Sequence, residues 1–150
     1  MFDVNHCVSF LTDKGGKNLS ESMNRFFERA GSSIHRVAWT ALHFIQQEPG
    51  ITQKELAARL IISEPTMADL ANRMIRDGLI IREMDPANKK YRHLYLTEYG
   101  TKEYQKLLRI VELFNTAAIE GIPEKDLEIF WKVMGKMIEN VNRDKDDEET

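Results

Sequence analysis

Across residues 51–97 the spacing of apolar positions changes from helical to strand-like, and the rest of the chain is organised around that stretch. Leu56, Ala57 and Leu60 share one helical face. Thr52 and Glu55 ahead of them form a capping box, in which the Thr oxygen and the Glu carboxylate satisfy free N–H groups at a helix start. After a short turn, Ser63 supplies an N-cap and Pro65 suits a first turn, where its missing N–H costs nothing. Met67, Leu70, Ala71, Met74 and Ile75 then point inward on a second helix that stops at Asp77-Gly78. Residues 79–84 and 91–96 are short β-rich runs, joined by a turn-forming segment with a basic tip at Lys89 and Lys90. Helix, turn, helix, strand, basic loop, strand is the layout of a winged helix-turn-helix, whose second helix can enter a DNA major groove.

Helical periodicity governs both flanks. Val4, Val8, Leu11, Leu19, Met23, Phe26 and Phe27 keep a helical beat across Gly15-Gly16. They predict one long helix, weakened or bent at glycines that each cost about 1 kcal/mol relative to alanine. A break there, with Ser20 capping a second piece, is the alternative. Ala30-Gly31-Ser32-Ser33 ends this helix, and Ile34, Val37, Ala38, Ala41, Leu42 and Ile45 form the next stripe, closed by Glu48-Pro49-Gly50. Thr97 caps a helix carrying Tyr104, Leu107, Leu108, Val111, Phe114 and Ala118. Gly121-Ile122-Pro123 separates it from a last helix with Leu127, Phe130, Trp131, Met134, Met137, Ile138 and Val141.

The expected fold is therefore mainly α: a winged helix-turn-helix with a two-stranded β wing, and N- and C-terminal helices forming a dimerisation region. Within a single domain over 1–150, residues 1–31 and 98–141 fall to the helical dimerisation region, 33–97 to the winged lobe, and 142–150 to an acidic tail. Three amphipathic helices beyond the winged unit need apolar cover, and packing across a two-fold axis supplies it. A monomer whose terminal helices cover one another is the alternative.

Charge complicates a nucleic-acid reading. A net charge of −3 and a pI of 5.8 argue against it at first. The distribution softens this: residues 51–100 hold eight Lys/Arg against seven Asp/Glu, and residues 101–150 eight against twelve. Local patches contact phosphates, so DNA binding stands, with modest nonspecific affinity. No apolar run approaches the roughly 20 residues needed to cross a bilayer, and the N-terminus lacks a signal-peptide layout. No membrane partner and a cytoplasmic location are expected. A lone Cys7 excludes an internal disulfide framework and a Cys-based zinc site. Of His6, His35, His43 and His93, only His35 and His43 are spaced to share a helix face, so no metal or other cofactor is expected. Gly15-Gly16-Lys17 lacks the flanking residues of a phosphate loop, and no nucleophile or acid–base pair stands out. An enzyme is not expected.

In order and spacing the motifs resemble those of the MarR family of bacterial transcriptional regulators, over roughly residues 29–108. The most specific are TQKELAARL, then S-x-x-T-x-x-x-L-x-x-x-M-x-x-x-G-L from Ser63 to Leu79. The wing D-P-x-N-x-K-x-R followed by L-x-L-T-x-x-G, from Asp85 to Gly100, completes the match. The resemblance implies an obligate homodimer joined through its first and last two helices. It further implies a pseudo-palindromic double-stranded DNA operator, repression, and release by a small aromatic or phenolic effector or an oxidant. Some residues depart from the pattern. Asp69 stands where many relatives are basic, Asn88 where Asp is common, Lys90 where Arg is common, and Ile61 where Gly is frequent in the turn. Asp69 cannot hold a phosphate, though it can accept from cytosine N4. Lys90 replaces a rigid guanidinium fork by a point charge.

Candidate DNA contacts are Ser63, Pro65, Thr66, Asp69, Asn72, Arg73 and Arg76 on the second helix, with Lys89, Lys90 and Arg92 on the wing. Thr66, Asn72 and Arg73 have the chemistry for base edges or phosphates, while Asp69 can instead pair with Arg73 at i,i+4. The resemblance places an effector pocket beside the helix bearing His35, Arg36, Trp39 and His43, which lie around the edges of its buried stripe. There Trp39 would stack an aromatic ring and Arg36 would pair a carboxylate or phenolate. Interface packing for Trp39 and a surface position for Arg36 are the alternatives. Cys7 lacks a nearby Lys/Arg cluster to stabilise a thiolate and reads as an ordinary cysteine. The rival function is a winged-helix protein-interaction module, in which the acidic surface and Asp69 mark lost DNA contact.

Overall fold

The helix-turn-helix forms from the local signals in the chain. The computed structural model describes residues 3–146. A 3-10 turn at Val4–His6 is followed by α1 (Val8–Arg29), α2 (Arg36–Gln47), α3 (Gln53–Leu60) and α4 (Glu64–Arg76). β1 (Ile80–Met84) and β2 (Arg92–Leu96) pair antiparallel, and α5 (Glu98–Ala118) and α6 (Glu124–Asp146) complete the order. Ahead of α3, Thr52 Oγ1 accepts from the Glu55 amide at 3.2 Å, and Glu55 Oε2 accepts from the Thr52 amide at 2.9 Å. Both halves of the capping box are thus made, and the Thr52 hydroxyl holds the Glu55 carboxyl below its usual range. Ser63 Oγ caps α4 by accepting from the Thr66 amide at 3.2 Å.

Ile61 joins the two helices in the left-handed conformation, φ 56° and ψ 46°, the geometry for which a glycine is the ordinary choice. Its amide bonds to the Ala58 carbonyl and that of Ile62 to the Ala57 carbonyl, closing the end of α3. The turn keeps its shape despite a β-branched residue, at a steric cost of roughly 1–2 kcal/mol.

Two expectations about element ends are corrected. The N-terminal helix runs through Gly15-Gly16, but it does not begin near Val4: Cys7, at φ −75° and ψ 120°, separates the 3-10 turn from α1. Asp3 accounts for the break, because its carboxylate accepts from the Asn5 amide and side chain and offers that segment a local alternative to helix. The strands begin one residue later than their apolar runs. The Leu79 amide is used to close α4 onto the Met74 carbonyl, and the Tyr91 amide bonds to Asn88 within the wing turn.

Ile80 pairs with Leu96 and Met84 with Arg92, which leaves residues 85–91 as the wing tip. The other edge of β2 takes a short third segment: the Gly50 amide donates to Leu94, the Leu94 amide to Ile51, and Thr52 bridges to His93. This ties the base of the wing to the start of the helix-turn-helix. Beneath lie the fully buried Phe27, Leu42, Ile45, Ile51, Leu56, Met67, Met74, Ile80, Leu94 and Leu107. Such side chains each contribute about 1.5–3 kcal/mol on burial. Trp39 belongs to this core rather than to the edge of its stripe: it is 8% exposed and stacks on Tyr104 at 5.9 Å. Where α5 starts, Thr97 Oγ1 accepts from the Gly100 amide at 2.8 Å and donates to the Gly78 carbonyl at 2.6 Å. A Cβ on Gly100 would sit 1.9 Å from the Leu79 carbonyl oxygen, so only glycine permits this approach.

Residues up to 115 form one compact unit, and residues 116–150 a second. In the second, Gly121 at φ +77° turns the chain into α6, which continues to Asp146, past the point where the acidic tail was expected to begin. Residues 147–150 of that tail lie outside the described residues. Ile129, Phe130, Trp131, Val133, Ile138 and Val141 of α6 are exposed.

Ile61→Gly isolates the strain in the turn, because the side chain is 92% exposed and leaves no cavity. Relief of roughly 1–2 kcal/mol, offset by about 0.5–1 kcal/mol of glycine's extra chain freedom, gives a small net gain. Thermal denaturation should show a Tm raised by about 1–4 °C. A lowered Tm would contradict the strained turn.

Candidate nucleic-acid interface

Burial on one side of α4 determines what it presents on the other. Met67, Leu70, Ala71 and Met74 are buried, and Pro65, Thr66, Asp69, Asn72, Arg73 and Arg76 are exposed. Ser63 Oγ lies 2.7 Å from Thr66 Oγ1, so these two hydroxyls are already engaged with one another at the helix start. Among the described residues no ion pair joins Asp69 to Arg73. The carboxylate and the guanidinium both remain available to an outside partner.

At the wing, one carboxylate organises the turn. Asp85 Oδ1 accepts from the Ala87 amide at 2.7 Å and the Asn88 amide at 3.1 Å, and Asn88 Oδ1 accepts from the Lys90 amide at 3.1 Å. Lys89 and Lys90 are exposed on this turn. Arg92 is used differently from its neighbours: its guanidinium folds back to donate to the Lys89 carbonyl and, at 3.4 Å, to that of Tyr91. It stiffens the tip as well as adding charge there.

His93, unremarked among the candidate contacts, completes the wing. Its Nε2 lies 3.0 Å from Asp85 Oδ2 and its Nδ1 lies 2.7 Å from the Gly50 carbonyl oxygen. Hydrogen bonding to His93 first, and then to the Ala87 and Asn88 amides, holds the Asp85 carboxyl below its usual range. Both oxygens of Asp85 are thus in use, Oδ2 on the His93 ring and Oδ1 on the turn amides. Register carries the missed signal: residues 83 and 85 of one strand edge share a face with residue 93 of the other.

The four residues considered for an effector pocket fall in three places. His35 lines a cavity of about 430 Å³ that Val37, Leu70 and Met74 also line, with Arg73, Asp77 and Glu103 as its charged groups. Arg36 lines a separate groove on α1 with Asp13, Lys17 and Glu21, and its amide donates to Asn24 Oδ1 at 2.7 Å. Trp39 and His43 are in neither. Trp39 is buried in an aromatic cluster with Phe27, His43 and Tyr104, whose ring centroids lie 5.7–6.3 Å from its own, so little of the indole is open to an aromatic ligand. His43 Nδ1 lies 3.0 Å from the Tyr104 hydroxyl, and the buried Trp39 Nε1–H has no hydrogen-bond partner among the described residues. At Cys7 the sulfur meets the Ser9 hydroxyl at 3.2 Å, which lowers the thiol pKa. Among the described residues no group of three or more His, Cys, Asp or Glu side chains is placed to hold a metal ion.

Comparison with known proteins agrees with this geometry. The MarR family model matches residues 32–90, from the turn ahead of α2 to the wing tip. The uncharacterised HTH-type transcriptional regulator YybA of Bacillus subtilis (strain 168) is 30% identical over 100 residues, 67% of this chain and 67% of that protein. The crystal structure of the transcriptional regulator SlyA is 27% identical and superposes with a TM-score of 0.78 over 89% of this chain and 94% of its own. CouR shares the fold at 15% identity and a TM-score of 0.82, over 90% of this chain and 94% of its own, in a complex with a 23-mer DNA duplex. CouR of Rhodococcus jostii RHA1 has also been solved with p-coumaroyl-CoA, at 17% identity and a TM-score of 0.77, over 91% and 95% of the two chains. A winged helix-turn-helix with these caps, this wing and these relatives makes the chain a member of the MarR family of transcriptional regulators.

Proposed function

We propose that this regulator is a repressor that binds a pseudo-palindromic operator as a homodimer and leaves it when a small effector binds. The observation that carries the reading is the combination of an Asn72-Arg73-Arg76 face, exposed on α4, with a basic wing tip at Lys89 and Lys90. A helix of this kind reads base edges, and a basic hairpin neutralises phosphates beside it. Arg73 is the candidate for a bidentate base contact, Asn72 for adenine, and Asp69 for cytosine N4. Asp69 also repels phosphates, which makes the site more selective than strong.

Two-fold assembly is supported by apolar side chains left in solvent. Val8, Phe10, Leu11 and Leu19 of α1 are exposed, as are Ile129, Phe130 and Trp131 of α6. Burying such faces against a second copy gives a dimer whose recognition helices, about 34 Å apart, enter successive major grooves. The chain's occupancy of a promoter then suffices for repression.

The effector reading moves from the Trp39 surroundings to the cavity beside α4. A small aromatic acid or phenol lying on Val37, Leu70 and Met74 would meet Arg73, one of the residues proposed to contact DNA. Ligand and operator would then compete for the same guanidinium. CouR, the relative solved with p-coumaroyl-CoA, sets a precedent for a ligand in this fold.

Mobility shift against the chain's own upstream region tests the DNA reading. A single shifted species with two chains per duplex is expected, and Arg73→Ala should lose about 1–3 kcal/mol of discrimination between operator and random DNA. Lys89→Ala with Lys90→Ala should weaken binding to both alike. One chain per duplex would overturn the dimer, and an equal loss on both DNAs for Arg73→Ala would overturn its base contact. For the cavity, millimolar salicylate should raise the Tm of the protein, and Ala38→Phe, which fills the space, should remove that rise. An undiminished rise in the variant would place the ligand elsewhere.

A further inference from the structure

We infer that His93 is a positioning residue for the wing that works only when doubly protonated, tying the wing turn to the start of the helix-turn-helix. Both of its ring nitrogens face oxygens. Nδ1 is 2.7 Å from the Gly50 carbonyl, and Nε2 is 3.0 Å from Asp85 Oδ2. A carbonyl and an ionised carboxylate only accept, whereas a neutral imidazole carries a single N–H. The neutral ring can therefore satisfy one partner and must turn a lone pair toward the other. Both bonds coexist only in the imidazolium.

The two partners lie at functionally separate places. Asp85 uses its other oxygen to hold the Ala87 and Asn88 amides, so it shapes the turn that presents Lys89 and Lys90. Gly50 leads directly into Ile51 and Thr52, which pair with β2 and cap α3. Protonated His93 thus links wing tip, wing base and recognition unit in one chain of hydrogen bonds. Losing either bond frees the wing to move relative to α4.

The surroundings favour the cation. Asp85 approaches from the wing, Glu55 from the start of α3, and Glu83 stands opposite His93 across the strand pair. Arg92, next in sequence, is turned back onto the Lys89 carbonyl, and Tyr95 packs its hydroxyl end by Gly50. Thr52, which bridges to His93, is uncharged. The Asp85 hydrogen bond, followed by that to Gly50, raises the His93 pKa from 6.5, while His93 lowers that of Asp85 from 3.8. The histidine contribution is complete below pH 6.5 and is lost as pH rises through the elevated value. The aspartate contribution is present above pH 3.8 and is lost as pH falls through the depressed one. The link is closed between the two and opens on the alkaline side.

The consequence for DNA rests on the reading of the wing as a phosphate contact. Fluorescence anisotropy of the full chain on its labelled upstream region, from pH 6 to 8.5 at fixed ionic strength, should show affinity falling several-fold as pH rises. NMR of the same protein should find both His93 nitrogens protonated at the acidic end, with the Ala87 and Asn88 amides shifting at the His93 midpoint. His93→Gln should flatten the pH profile near the weak alkaline level. Asp85→Asn should move the His93 midpoint down toward 6.5. A His93 that is neutral across the range, or wing amides that ignore its titration, would overturn the link itself. Tight binding with no pH dependence would overturn its role in DNA contact. If the wing amides follow His93 but no DNA is bound at any pH, the link stands and the DNA reading fails.

Discussion

The inward face of α4 fixes everything that its outward face can do. Met67, Leu70, Ala71 and Met74 are buried, capped at one end by Ser63 and closed at the other through Leu79 and Gly78. Rotating the helix by one residue would bring several of these into water at about 1.5–3 kcal/mol each, and would bury Arg73 or Asp69 without a partner. The exposed strip of Asn72, Arg73 and Arg76 is thus a by-product of core packing. Thr97 and Gly100 extend the same constraint, since they lock α5 against the backbone that leaves α4.

The wing is held by different forces. Ile80 and Leu94 anchor its base in the core, but from Ile81 to Met84 the first strand is exposed. Further out, order comes from Asp85, Asn88, Arg92 and His93 acting on backbone groups. Hydrogen bonds of this kind respond to protonation and salt in a way that buried leucines do not. α4 and the wing beside it are therefore held by interactions of different kinds, the first insensitive to protonation and salt and the second responsive to both.

How much of this was legible in the sequence follows the range of each interaction. The capping box at Thr52, the Ser63 cap, the stop at Asp77-Gly78 and the β-rich runs of the wing all act within a few residues, and each was readable. The continuity of α1 through Gly15-Gly16 followed from periodicity alone, whereas the break at Cys7 depended on the Asp3 carboxylate choosing the Asn5 amide. Trp39 looked like an edge residue because periodicity counts only its own helix; its burial is decided by Phe27 and Tyr104, from elements distant in sequence. His93 was considered only as a metal ligand, because its partnership with Asp85 depends on strand register and on the return of Gly50 to β2. The cavity joining α2, α4 and α5 was likewise a product of packing between elements.

With a net charge of −3, any long-range attraction to DNA has to come from local basic patches such as Lys89 and Lys90 and not from the chain as a whole. That makes the salt dependence of binding the most direct measurement of the account. Binding to the upstream region, followed from about 50 to 200 mM salt, should give a log–log slope of roughly −3 or steeper, as several lysines and arginines release counterions from phosphate. A slope near zero, or no binding at about 50 mM salt, would contradict it.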